Sequence, residues 1–321
     1  MPMNAPEQLL PRAAARRRRL AAVMAGPILC LAWLSCLHEA ATAVVPESAA
    51  QGIGYVEKIV GELKEIRIER DGQLLAPALL LPLQAGDRVT ALASGSELYA
   101  QVGKRRVVVT VRNSPYHVPA VDAPPGFITR LRSTLVSVGA RLTTQYVRSS
   151  SPVSTSSRGR EGPLSMPLIE DGTSRISSNR AALALAWDGG TGPFHVQVLG
   201  PEGQQWAGAD SDGWRARLPL SSGRLPSGTI HIVVQDRTGD TVRRSVSVVS
   251  PESIPAGSAA LSTQDLPPDL QQLLAADSLL QAHRKIWTFE AYQDVASLAD
   301  SYEPARLLRD CLEAVPSCYH R

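Results

Sequence analysis

The sequence predicts a mainly β fold with α segments, and three observations carry that expectation. Residues 54–118 and 181–250 alternate apolar and polar side chains with period two between turn signals, as half-buried strands do. Residues 127–146 and 267–312 instead repeat apolar side chains at helical spacing. Between these stretches lie segments rich in Ser, Gly and Pro, with little capacity to bury a core. At 321 residues, with 44% hydrophobic and 20% charged side chains, the chain is long enough for about two domains of globular material.

The first segment, residues 1–43, reads as targeting. Arg12 and the run Arg16-Arg17-Arg18-Arg19 form a basic region, residues 20–37 carry no charge, and Ala41-Thr42-Ala43 follows. A basic region, an apolar core and a small-x-small site make a secretory signal, with cleavage expected between Ala43 and Val44. The alternative is an uncleaved anchor. Its 18 uncharged residues are at the lower limit of a membrane span, and Pro27 interrupts them. The basic flank faces the cytoplasm under either reading. The protein is therefore expected in the periplasm or outside the cell, or held in the inner membrane with its bulk outside the cytoplasm.

Charge follows from the same division. The whole chain carries +3, but residues 1–43 hold five arginines against only Glu7 and Glu39, so the remainder is balanced. A balanced chain lacks the electrostatic footprint of a nucleic-acid partner. Membrane contact is expected only if the N-terminal segment is uncleaved.

The first β stretch, 52–118, reads as an all-β module of short strands. Asp71-Gly72 and Gly103-Lys104 are hairpin turns, and Val107 to Val111 is a β-branched run. Next, Phe127, Leu131, Leu135, Val138 and Leu142 place a helix over 127–146. Residues 147–180 read as a linker whose Arg158, Arg160, Arg175 and Arg180 are solvated among Glu161, Glu170 and Asp171. Five to seven strands over 181–250, separated by Asp188-Gly189-Gly190, Gly200 to Gly203, Ser221 to Gly223 and Thr238 to Asp240, argue a β-sandwich with Trp187 in its core. A second linker covers 251–266. Residues 267–321 then read as a helical hairpin or three-helix element, with Ser301-Tyr302-Glu303-Pro304 opening the last helix.

Two cysteines remain after residue 43, Cys311 and Cys318, and an oxidising compartment favours a disulfide between them. On one continuous helix they would stand about 10 Å apart, too far to bond. Pro316 is expected to end the helix and let Cys318 fold back. Two unpaired thiols are the alternative.

The chemistry-bearing patterns point away from an enzyme and from any cofactor or metal. No Gly-x-Ser-x-Gly elbow, phosphate-cradling glycine loop or His-Glu-x-x-His pair occurs. The histidines at 38, 117, 195, 231, 283 and 320 are scattered, with His195 and His231 inside strand patterns. Acidic pairs such as Glu57 with Glu62, or Asp210 with Asp212, are expected on turns and solvated strand faces.

The residues Gly54-x-Val56, Gly61, Gly72, Leu83-x-x-Gly86-Asp87-Arg88-Val89, Ser94-Gly95-Ser96, Leu98 and Val107-x-Val109 resemble the motif string of the FecR-like domain family. That resemblance implies a β-rich extracytoplasmic module over about residues 54–118, in which the glycines serve turns and Asp87 ties a turn to its own backbone. Only 19 residues precede the apolar stretch, too few for the cytoplasmic helical domain of the family's sigma-factor regulators. Residues 181–250 are similar to immunoglobulin-like and fibronectin-type modules. Together these imply an exported, non-enzymatic binding or scaffolding protein of the bacterial cell envelope, whose partner is an envelope protein or wall polymer. A membrane-anchored signal relay and a carbohydrate-active hydrolase with an unrecognised site are the alternatives.

Overall fold

Strand alternation in the first module resolves into two four-stranded sheets that share one interior. In the computed structural model, which describes residues 52–120, 127–150, 162–220, 222–255 and 266–314, β1 (Gly52–Val60), β4 (Pro82–Gln84), β6 (Glu97–Val102) and β7 (Arg105–Thr110) pair in the order β4-β1-β6-β7. The second sheet orders β3 (Gln73–Leu75), β2 (Ile66–Arg70), β5 (Arg88–Ala91) and β8 (Tyr116–His117) as β3-β2-β5-β8. Val56, Leu98 and Val109 from one sheet meet Ile68 and Val89 from the other, all at most 1% exposed. Asp71 (φ 50°) and Gly72 (φ 77°) form the turn between β2 and β3, where two consecutive left-handed residues match the twist of the strands.

Strand β1 is buried without a break from Ile53 to Glu57, because both of its faces are covered. One face lines the interior. Helices lie over the other.

The first of these, α1 (Phe127–Ser150), buries Leu131, Leu135, Val138 and Leu142, whose spacing of four, three and four residues makes one stripe. Gly139 lets the helix approach the turn before β4: a Cβ there would lie 2.0 Å from the Leu79 carbonyl oxygen. The Leu79 N–H donates to Thr143 Oγ1 at 2.9 Å, and Tyr146 Oη donates to the Gly61 carbonyl at 2.6 Å. The helix runs four residues beyond the expected 146.

The second β region is a sandwich. A five-stranded sheet orders β12 (Gln205–Ser211), β11 (Phe194–Leu199), β14 (Gly228–Gln235), β15 (Thr241–Val249) and β9 (Arg175–Ser177) as β12-β11-β14-β15-β9. Facing it is a two-stranded sheet of β10 (Ala182–Ala186) and β13 (Arg215–Pro219). Leu183, Leu185 and Leu218 meet Val196, Val198, Ile232 and Val246 between the sheets, each at most 1% exposed. Trp187 is a core residue as expected, 1% exposed and edge-on to Phe194 at 5.3 Å.

Residues 162–180 differ from the expected linker. Met166, Leu168 and Ile169 are buried, and β9 adds to β15 as a parallel strand. A three-residue strand is too short to show alternation, so the polar composition around it masked it. Arg175 is exposed as expected, whereas Arg180 is not; Arg158 and Arg160 lie outside the described residues.

The C-terminal element contains α2 (Pro268–Leu298) and α3 (Glu303–Glu313). The backbone of α2 breaks at His283 (φ −157°, ψ 85°). Gln272 Nε2 donates to the Asp294 carbonyl at 3.0 Å and to Ser297 Oγ at 2.9 Å. A straight helix would hold residues 272 and 294 about 33 Å apart, so the two arms fold back as a hairpin, and α3 completes a three-helix element.

These helices sit between the two β regions. Helix α3 packs on α1 and β1, while α2 packs on β9 and β10. Arg141 Nη2 on α1 donates to Asp277 Oδ1 on α2 at 2.6 Å. Tyr55 on β1 and Tyr302 ahead of α3 are both buried, and burial pushes the Tyr55 phenol up to about 12. Among the described residues, no helix is long and apolar enough to cross a membrane.

Candidate functional site

The outward face of β10 and β13 is built from small residues and arginines. Antiparallel register sets Ala184 opposite Arg217 and Ala186 opposite Arg215, and directly opposed residues share a face. Leucines at 183, 185 and 218 point into the sandwich, so Ala182, Ala184, Arg215 and Arg217 face the helices. Methyl groups cannot fill the gap that separates a strand from a helix. A cleft of about 450 Å³ remains, bounded by β10, β13, α2 and α3. That volume lies within the range of small-ligand sites.

Polar side chains fix the walls. Gln293 on α2 acts toward β10 as a neighbouring strand would: its Oε1 accepts from the Ala184 N–H at 2.8 Å, and its Nε2 donates to the Ala184 carbonyl at 2.9 Å. One turn earlier, Glu290 accepts from the Ser177 N–H at 3.0 Å and from Arg180 Nη2 at 2.5 Å. Arg180 Nη1 also pairs with Asp294 at 2.7 Å. Burial alone would lower the Arg180 pKa, but Asp294 and Glu290 outweigh it and hold the guanidinium charged. Burial pushes the Asp294 carboxyl above its ordinary value despite Arg180.

A second cluster closes the other wall. Arg215 donates through Nε and Nη2 to the Glu313 carboxylate at 2.9 and 2.5 Å, a two-pronged pair, and reaches Asp310 at 3.3 Å. Tyr292 Oη donates to Glu313 Oε1 at 2.8 Å. Burial and the Glu313 charge raise the Tyr292 pKa, so the phenol keeps the proton it donates. Arg309 adds a contact to Asp310 at 3.1 Å.

The structure distributes the sequence-derived candidates differently from one another. Cys311 lies on α3 at 4% exposure, while Cys318, Ala43 and Val44 lie outside the described residues. Glu57 departs from the expected solvated position: it is 5% exposed and paired with Arg106, whose Nε donates at 2.7 Å. Glu57 lies on β1, the strand that α1 and α3 cover. His195 Nδ1 lies 2.7 Å from Asp210 Oδ1 on an exposed strand pair, and His231 Nδ1 lies 3.1 Å from Ser245 Oγ. Ser96 Oγ donates to Glu65 Oε2 at 2.5 Å, which makes that segment a structural turn. Asp87 ties its turn through the Gln84 N–H at 2.8 Å and also binds Arg70 through two bonds of 2.8 and 2.7 Å. Among the described residues, no group of three His, Cys, Asp or Glu side chains is placed to hold a metal.

Sequence reasoning missed the cleft and the arginines around it. The one available signal was Glu290-x-x-Gln293-Asp294, a polar stripe inside an otherwise apolar helical segment.

No family model matches the chain, and no curated protein does. Among solved structures, it is similar to the Arg-specific cysteine proteinase gingipain R at 15% identity, over 28% of this chain and 19% of that one, with a TM-score of 0.23. It is similar to CopC from Methylosinus trichosporium OB3b at 18% identity, over 25% and 87% of the two chains, with a TM-score of 0.20. The BSP domain of a biofilm associated protein matches at 13% identity over 60% and 32%, with a TM-score of 0.23. The chain spans 19% of the proteinase's length, and likeness at these scores carries no argument about activity.

Proposed function

We propose that this chain is an exported, non-enzymatic binding or scaffolding protein of the bacterial cell envelope, built on a FecR-like module and an immunoglobulin-like sandwich. One observation carries the reading: the C-terminal helices clamp the sandwich through Gln293, Glu290 and Glu313 and leave a walled cleft between them. A site whose walls are held by side-chain bonds is organised before a ligand arrives, which lowers the ordering cost of binding. The basic, apolar and small-residue order of residues 12–43 supports export. The partner is an envelope protein or wall polymer, and no cofactor enters the reading.

Fractionation of expressing cells with N-terminal sequencing and intact mass tests it. The expected product begins at Val44 and is about 2 Da lighter than its reduced form, through a Cys311–Cys318 bridge. A cytoplasmic chain that retains residues 1–43 overturns export. A membrane-bound chain with Arg16 to Arg19 intact replaces it with the anchored-relay reading. Turnover of wall polymer that is lost when one carboxylate is neutralised overturns the non-enzymatic assignment.

A further inference from the structure

One arginine of the cleft lining is not used in its clamping. Its walls carry Arg180, Arg215, Arg217 and Arg309, and the acidic lining residue, Asp300, sits at the mouth with 98% of its side chain exposed. Arg180 is held by Glu290 and Asp294, Arg215 by Glu313 and Asp310, and Arg309 by Asp310 and Asp300. Arg217 has no such partner. It is exposed, shares the cleft-facing side with Ala184, and makes no hydrogen bond or ion pair among the described residues. Asn179, also exposed on the lining, has its Oδ1 occupied by Ser177 Oγ at 2.7 Å, which leaves its amide nitrogen as a donor. Guanidinium and amide donors over a floor of alanine methyls suit a planar or tetrahedral oxyanion.

We propose that this cleft binds a small oxyanion ligand, one bearing a carboxylate or a phosphate, with Arg217 as its direct cationic partner and Asn179 as a second donor. The proposal deepens the binding-protein reading and rests on it for the cleft's role. A sugar acid and a free or esterified phosphate present the same chemistry to these donors, and the cleft's volume admits either.

The test is a thermal-shift titration of the full chain with inorganic phosphate and, separately, with glucuronate, at constant ionic strength. A saturable rise in melting temperature with at least one probe is expected. Loss of one charged hydrogen-bond partner in Arg217→Gln should weaken it about tenfold or more. Arg217→Lys should recover part of that loss. Ala182→Leu, which fills the floor without altering charge, should weaken binding as well. Response to phosphate alone or glucuronate alone identifies the source. No saturable shift with either probe up to about 10 mM, or equal affinity in Arg217→Gln, overturns the site. The titration is independent of location: a cytoplasmic protein that binds phosphate through Arg217 would sink the envelope reading and leave this site standing.

Discussion

The two β regions satisfy their polar residues in opposite ways. In the first module, buried charge closes on itself: Asp87 holds Arg70 seventeen residues away, and Glu57 pairs with Arg106 on a nearby strand. In the sandwich, the outward face of β10 and the neighbouring strand β9 look elsewhere. Ser177, Arg180 and Ala184 take their partners from α2, at sequence separations of 113, 110 and 109 residues. The first module's buried ion pairs therefore close within one stretch of chain, whereas the sandwich is completed by the last helices. The cleft lies in the second arrangement, where two separately built surfaces meet without being fully complementary.

Asp87 is the first module's most sensitive point. Its side chain is fully buried and Arg70 keeps 15% exposure, so Asp87→Ala strands a guanidinium and the Gln84 N–H. A loss of about 4 kcal/mol is expected by chemical denaturation. Glu290→Ala should cost about 3 kcal/mol by the same measurement, since it removes partners of Arg180 and the Ser177 N–H. The double variant with Arg180→Ala should lose less than the sum of the two single losses. Additive losses would show that the helices do not hold the sandwich through this pair.

Gly139→Ala sharpens the contrast at the first module's own helix. Its new methyl meets the backbone of Leu79, so α1 must shift, at a cost of about 2 kcal/mol. Hydrogen exchange should then rise along α1 and at Leu79 while the Gln293–Ala184 contacts stay protected. Uniform exchange across both regions would mean they open as one unit.

The smallest effect concerns pH. Asp236 accepts from the Thr238 hydroxyl at 2.7 Å and from the Thr191, Thr238 and Asp240 N–H groups, and these bonds, the hydroxyl first, lower its pKa. A depressed carboxylate stabilises the fold fully above its ordinary value of 3.8, and that stabilisation is lost as pH falls through the lowered folded value. Asp236→Asn should flatten this acid limb of the melting-temperature profile. An unchanged limb would place the acid sensitivity elsewhere.

Turn chemistry and strand alternation were legible because each needs only neighbouring residues. Asp71-Gly72 declared its hairpin, Leu183-x-Leu185 its inward face, and Glu303-Pro304 the start of α3. A hairpin or three-helix element was expected here, but the place of the break in α2 was hidden, since His283 is an ordinary residue in a helical stretch and neither glycine nor proline marks it. Arg180 was misread for a related reason. It stands among serines and other arginines, and its composition describes solvent unless the acids that meet it are already in view.

By itself, then, the sequence determined a mainly β chain with helical segments, most strand and turn positions, and an N-terminal segment patterned like a targeting signal, all of which follow from short-range periodicity and local backbone preference. The tertiary structure alone decided where α2 doubles back, that α2 and α3 bridge the two β regions, and that four arginines gather around one cleft. The physical reason is chain separation. A pair such as Ala184 and Gln293 has no signature in either neighbourhood, because a backbone amide and a glutamine side chain become partners only when packing removes the water each would otherwise bind.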